Sequence, residues 1–73
     1  MFTVCPITTH LTGAFFYRVP MGRDAGNGLR EDSEVEIDLI QAIRQERIRN
    51  VIGSTSPEVM TVVDQALRRW FSL

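Results

Sequence analysis

The stretch Val4-Cys5-Pro6-Ile7-Thr8-Thr9-His10 runs an apolar strand into two hydroxyl residues and the only histidine of the chain. Hydroxyls and an imidazole at a strand end are groups that donate to anionic oxygens and move protons. By residue type alone, a threonine at such a place is more often structural than reactive, and a lone histidine is more often a surface residue than a catalyst. The basic residues form a second group, because all eight are arginine and none is lysine. The guanidinium fork suits phosphate, although a GC-rich genome produces the same bias. With a net charge of −1 the chain has no global attraction for nucleic acid, so any such site must be a local patch. Arg44, Arg47 and Arg49, interrupted by Glu46, read as a solvated cluster rather than a phosphate track. Phe15, Phe16 and Tyr17 offer rings on which bases stack. On a strand they divide between two faces, so at least one belongs to the core and stacking is the lesser reading.

The elements that must position these groups follow from local pattern. Residues 2 to 8 are rich in β-formers and end where Pro6 suits a strand end or an edge, which predicts a first strand. Thr12-Gly13 signals a turn, after which Phe15 to Val19 predicts a second strand, ended by Pro20 and paired antiparallel with the first. Residues 21 to 33 carry three glycines among polar residues without an apolar period, which predicts a long loop with freedom to move. Glu34-Val35-Glu36-Ile37-Asp38 alternates strictly. That places Val35 and Ile37 on a buried face and the three carboxylates on a solvated one. Leu39, Ile40 and Ile43 continue into a short irregular or strand segment, and Val51-Ile52-Gly53 packs the chain back after the polar run at 44 to 50. A helix is predicted over 57 to 71, with Ser56 as N-cap, Pro57 at the first position and Glu58 in the first turn. Val59, Val62, Val63, Ala66, Leu67 and Trp70 fall on one stripe of it, with Asp64 and Arg68 spaced to pair outside.

With 73 residues, 44% of them apolar, the chain holds one small domain, 1–73, whose core is too limited for comfortable stability as a monomer. The single Cys5 closes no intrachain disulfide, and no second Cys or His stands at metal-ligand spacing, so neither a metal nor another cofactor is expected. Oligomerisation is the remaining remedy. No apolar run reaches bilayer length, and the start lacks the basic n-region of a signal peptide, which predicts a cytoplasmic protein without membrane contact.

Read together, CPITT, the GLREDS loop, the VEIDLIQAI strand and SPEVMTVVDQALRRWFSL resemble the C-terminal part of the MazF/PemK family, toxins of type II toxin–antitoxin pairs. The resemblance runs from Val4 to Leu73, with four motifs in the family's order. It implies an α+β fold, an SH3-like partial β-barrel of antiparallel strands followed by a C-terminal helix. Similar proteins begin with two further strands, including a Gly-Arg-Arg-Pro-Ala-like segment, that have no counterpart here, so the resemblance implies a truncated toxin domain.

The activity implied is metal-independent cleavage of single-stranded RNA at short recognition sequences, with the ribose 2′-hydroxyl as nucleophile. Such a reaction needs a base, donors for the phosphorane charge and an acid at the leaving 5′-oxygen. Thr8 matches the family's active-site threonine, Thr9 the neighbouring serine or threonine, and Asp38 an acidic residue proposed as base or orienting group. Asp38 reads equally well as a solvent-facing carboxylate. Leu39 and Ala42 replace polar family residues, and Glu36 stands where a close branch carries an arginine. The family's catalytic arginine belongs to the absent strands. Arg18, Arg23 or Arg30 would replace it only if their segments fold over the turn, and with His10 they form the candidate RNA-binding set. The partners implied are single-stranded RNA, a cognate antitoxin and a second copy of the chain. Two alternatives stand beside the nuclease: a catalytically impaired homologue that binds antitoxin or dimerises, and a gyrase inhibitor of the CcdB type.

Overall fold

Val35 decides the layout, because it is an apolar residue with a partner on each side. In the computed structural model, which describes residues 1–72, Val35 is paired with Ile7 on one flank and Val19 on the other. Its strand, β4 (Ser33–Glu36), is thus the centre of a three-stranded antiparallel sheet with β2 (Ile7–Thr8) and β3 (Arg18–Met21) as edges. A separate antiparallel pair joins β1 (Phe2–Val4) to β5 (Gln41–Ile43). After two 3₁₀ turns, Ile37–Leu39 and Gln45–Arg47, the chain ends in helix α1 (Pro57–Phe71). This is an α+β partial barrel, as the sequence resemblance implied. Leu73, the last residue of that resemblance, lies outside the described residues.

The predicted strands exist, but their limits and pairing differ. The expected strand at 2 to 8 breaks at Cys5-Pro6 into β1 and β2, which belong to different sheets. Pro6 donates no hydrogen bond, yet its carbonyl accepts one from the Glu36 N–H at 2.8 Å, so the break itself is tied to the central strand. The expected direct pairing of the first two strands does not occur, since β4 lies between them. The second strand starts at Arg18, later than expected, because residues 14 to 17 close a turn. In it the Tyr17 and Arg18 N–H groups both donate to the Ala14 carbonyl. Pro20 lies inside β3 rather than ending it. It is tolerated there because β3 is an edge and Pro20 is exposed. The alternation from Glu34 to Asp38 holds as strand only to Glu36, and Asp38 falls in a 3₁₀ turn.

Opposite residues of an antiparallel pair share a face. One face therefore carries Ile7, Val19, Met21, Ser33 and Val35, and the other carries Thr8, Arg18, Pro20, Glu34 and Glu36. The first faces α1. Val19, Met21, Val35, Ile37, Val63 and Ala66 form the buried core, with Cys5, Leu29, Val59 and Leu67 packed against it. Helix α1 has the predicted limits, and Ser56 Oγ accepts from the Val59 N–H at 3.2 Å. Val62 and Trp70, expected on the buried stripe, are partly exposed. Asp64 and Arg68 form no ion pair among the described residues.

The long loop is tied down rather than free. Asp24 Oδ1 accepts the Gly26 and Asn27 N–H groups, while buried Asn27 bonds the Gly22 carbonyl and the Asp24 and Leu29 N–H groups. Gly28 has φ +69°, and a Cβ there would collide with the Ile52 backbone. The loop thereby seats the segment that leads into α1, with Ser54 N–H donating to the Gly26 carbonyl at 2.8 Å. Among the described residues no helix is long and apolar enough to cross a membrane.

Candidate functional site

The sheet face turned away from α1 collects most of the groups that can do chemistry. Thr8 ends β2 directly opposite Glu34, and Arg18 begins β3 directly opposite Glu36. Thr8 Oγ1 accepts the His10 backbone N–H at 3.0 Å. That bond uses a lone pair and leaves the hydroxyl proton free to be donated outward. Thr9 and His10 follow as exposed residues.

Arg18 is the most constrained cation. Its Nε donates to Asp38 Oδ1 at 2.9 Å and its Nη2 to Asp38 Oδ2 at 3.3 Å, while Nη1 lies 3.4 Å from Glu36 Oε2. Both side chains of the Arg18–Asp38 pair are mostly shielded from solvent, a setting in which the bidentate fork is held in one orientation. The hydrogen bond to Asp38, with the nearby carboxylates, raises the Arg18 pKa further above its ordinary value. The Asp38 carboxylate, which the sequence reads equally well as solvent-facing, is held in this fork. Two of the five guanidinium N–H groups stay available to an anion.

Glu34, also read from sequence as solvated, is 3% exposed. The crossover from β2 to β3 passes over it: its carboxylate accepts from the Thr12 N–H, the Gly13 N–H at 2.9 Å and the Thr12 hydroxyl at 3.0 Å. The backbone donors of Gly13 and Thr12 hold its pKa below the usual carboxylate range. Nothing in the alternation distinguished Glu34 from Glu36, and the one available signal was the Thr12-Gly13 turn, whose free N–H groups need an acceptor.

The candidate catalytic residues are thus divided. Thr8 and Thr9 lie at the Glu34 end of the face, and Asp38 lies past the Glu36 end with Arg18. Two strand spacings and two residues of rise put the Thr8 and Arg18 backbones roughly 12 Å apart. Arg23 and Arg30 are exposed on the loop and do not join the face; Arg23 uses its backbone N–H to bond Asp32 at 2.9 Å. Arg44, Arg47 and Arg49 are exposed, as expected. On the core side, the sheet and the start of α1 leave an open apolar groove of about 330 Å³, lined among others by Cys5, Ile7, Met21, Val59 and Met60. Burial beside that groove raises the Cys5 pKa.

Comparison with known proteins adds one match. The family model of the PemK-like, MazF-like toxin of type II toxin–antitoxin systems covers residues 1–71. No curated protein and no solved structure matches.

Proposed function

The chain belongs to the PemK-like, MazF-like toxins of type II toxin–antitoxin systems, and from that premise we propose that it is a cytoplasmic, metal-independent endoribonuclease of single-stranded RNA. The observation that carries this reading is the shared sheet face of Thr8 and Arg18, with Asp38 holding the guanidinium fork. The roles follow from the donors left free. Thr8 donates its hydroxyl proton to a phosphate oxygen, with Thr9 beside it. Arg18 presents its two remaining N–H groups to the charge that grows on the phosphorane, where a preorganised donor is most effective. Asp38 positions Arg18. The imidazole of His10, two residues from Thr8, accepts the 2′-hydroxyl proton. The 2′-oxygen then bonds to phosphorus, the bond to the 5′-oxygen breaks, and that oxygen takes a proton from solvent water as it leaves, giving a 2′,3′-cyclic phosphate and a 5′-hydroxyl, while the His10 imidazolium returns its proton to solvent. The roughly 12 Å between the Thr8 and Arg18 backbones is bridged in part by the long arginine side chain and in part by the nucleotide. The family implies an antitoxin as partner, and the active form in this reading is a homodimer.

A second reading has its own support: three carboxylates, Glu34, Glu36 and Asp38, surround one guanidinium, which disfavours phosphate. On that reading the chain binds antitoxin or a second copy without cleaving. Incubating a long, structure-poor RNA with the chain in EDTA decides between the two. Cleavage with cyclic-phosphate ends is expected, reduced by about 10² to 10³ in Arg18→Gln, lost in Thr8→Ala, and slowed by about 10² to 10⁴ in His10→Gln. Intact RNA in the presence of folded protein leaves the binding reading.

A further inference from the structure

We propose that the turn at 15 to 17 and the last turns of α1 form a base-stacking subsite, which takes one or two bases of single-stranded RNA beside the Arg18–Asp38 pair. The inference rests on the RNA reading above and adds to it where the substrate lies. The sequence pattern puts Phe15, Phe16 and Tyr17 on a strand, where at least one of the three rings belongs to the core. In the turn neither is buried: Phe15 is 69% and Phe16 57% exposed. Rings left in water are unfavourable unless something covers them, and these two are held out by a hydrogen-bonded turn, Phe15 N–H to the Gly13 carbonyl at 2.9 Å and Arg18 N–H to the Ala14 carbonyl at 2.9 Å.

The chemistry around the rings selects the occupant. The Arg69 guanidinium lies 5.8 Å from the Phe16 ring centroid and the Arg18 guanidinium 5.7 Å from that of Tyr17. The Tyr17 and Trp70 rings meet at 5.9 Å with a tilt of 55°. Cations thus alternate with aromatic faces, an arrangement suited to bases joined by phosphates. Among the described residues the only ion pairs are those of Arg18, and Arg69 has no acidic partner among them. Beside the Phe16 ring, its one side-chain hydrogen bond among the described residues is a long one of 3.4 Å to the Phe15 carbonyl. The negative end of α1 would repel phosphate, and Arg68 and Arg69 in the last turn offset it. The aliphatic groove on the other side of the sheet has no such charges and offers nothing to a nucleotide. Tyr17 links the patch to Arg18 directly, so a strand of RNA stacked on the turn leads its phosphate toward the guanidinium.

The test is affinity of the whole chain for a 2′-O-methyl oligoribonucleotide, which cannot be cleaved, followed through Trp70 fluorescence and the anisotropy of an end label. Phe15→Leu with Phe16→Leu keeps apolar volume at two exposed positions and removes both ring faces. It is expected to weaken binding by about tenfold or more, and an abasic oligomer is expected to lose as much against the unsubstituted chain. Arg69→Gln is expected to flatten the salt dependence by about 0.7 in log–log slope. Unchanged affinity in the double variant, or equal affinity for the abasic oligomer, overturns the subsite while RNA cleavage by the same preparation keeps the nuclease reading. A chain that neither binds nor cleaves overturns both. If the double variant instead changes sedimentation and not RNA affinity, the patch is a contact between copies and the subsite falls.

Discussion

Glu34 shows how much a single side chain settles. Its carboxylate gathers three donors from Thr12 and Gly13, and in doing so fixes the crossover above the sheet. Because its folded pKa is lowered, the unfolded chain binds the proton more readily between the two values. The stabilisation is therefore complete above the ordinary carboxylate range, near pH 4.3, and is lost as pH falls through the folded value. Glu34→Gln should lower the melting temperature at pH 7, and the gap from the unsubstituted chain should close in acid below the folded pKa. A gap of equal size in acid would show that shape, not charge, matters there. Thr8 and Arg18 were legible as candidates because hydroxyl and guanidinium groups carry chemistry wherever they stand. Their division between two ends of one face was not legible, since it depends on a register between strands far apart in sequence. Nor was the capture of Asp38 by Arg18, which needs the 3₁₀ turn that the alternating pattern concealed.

Among the elements, α1 was readable to its ends because its signals are local: a cap, a proline, a first-turn acid and a periodic stripe. Ser56→Ala should cost about 1 kcal/mol in denaturant unfolding, the typical loss of a serine N-cap. The strands were less readable. Val35 looks like any half-buried valine in sequence, and only its two partners, Ile7 and Val19, make β4 central. The loop predicted at 21 to 33 read as free because its order comes from Asp24 and Asn27 bonding backbone, not from any apolar period. Two glycines test that order. Gly13 at φ +70° has open space around the missing side chain, whereas Gly28 at φ +69° faces the Ile52 backbone. Gly13→Ala should cost about 1 to 2 kcal/mol for the backbone alone, and Gly28→Ala distinctly more. Equal losses would mean that the segment before α1 moves aside easily.

The whole molecule exposes 5550 Å², while folded monomers of 8.3 kDa expose roughly 4600 Å². The excess is somewhat larger than the ~800 Å² that one partner contributes to a standard interface, which supports the dimer of the proposed function. Sedimentation at micromolar concentration should give twice the chain mass, and a monomer throughout would remove the dimer from that proposal. The small core makes each member costly to lose. Ile37 is 0% exposed, so Ile37→Ala should destabilise by about 2 to 5 kcal/mol and leave little folded chain at 37 °C. The break at Cys5-Pro6 also sets an order of assembly. β3 and β4 are joined through one loop and meet early, whereas β1 must find β5 over a far longer stretch of chain, Phe2 against Ile43. Loop closure makes that pairing the last to form, and with Phe2, Thr3 and the facing Gln41 and Ala42 exposed it is the first to open. Amide exchange should therefore release the β1–β5 protons well before those of Val19 and Val35, so that the chain breathes as two sheets hinged at a residue pair in which proline has no proton to exchange.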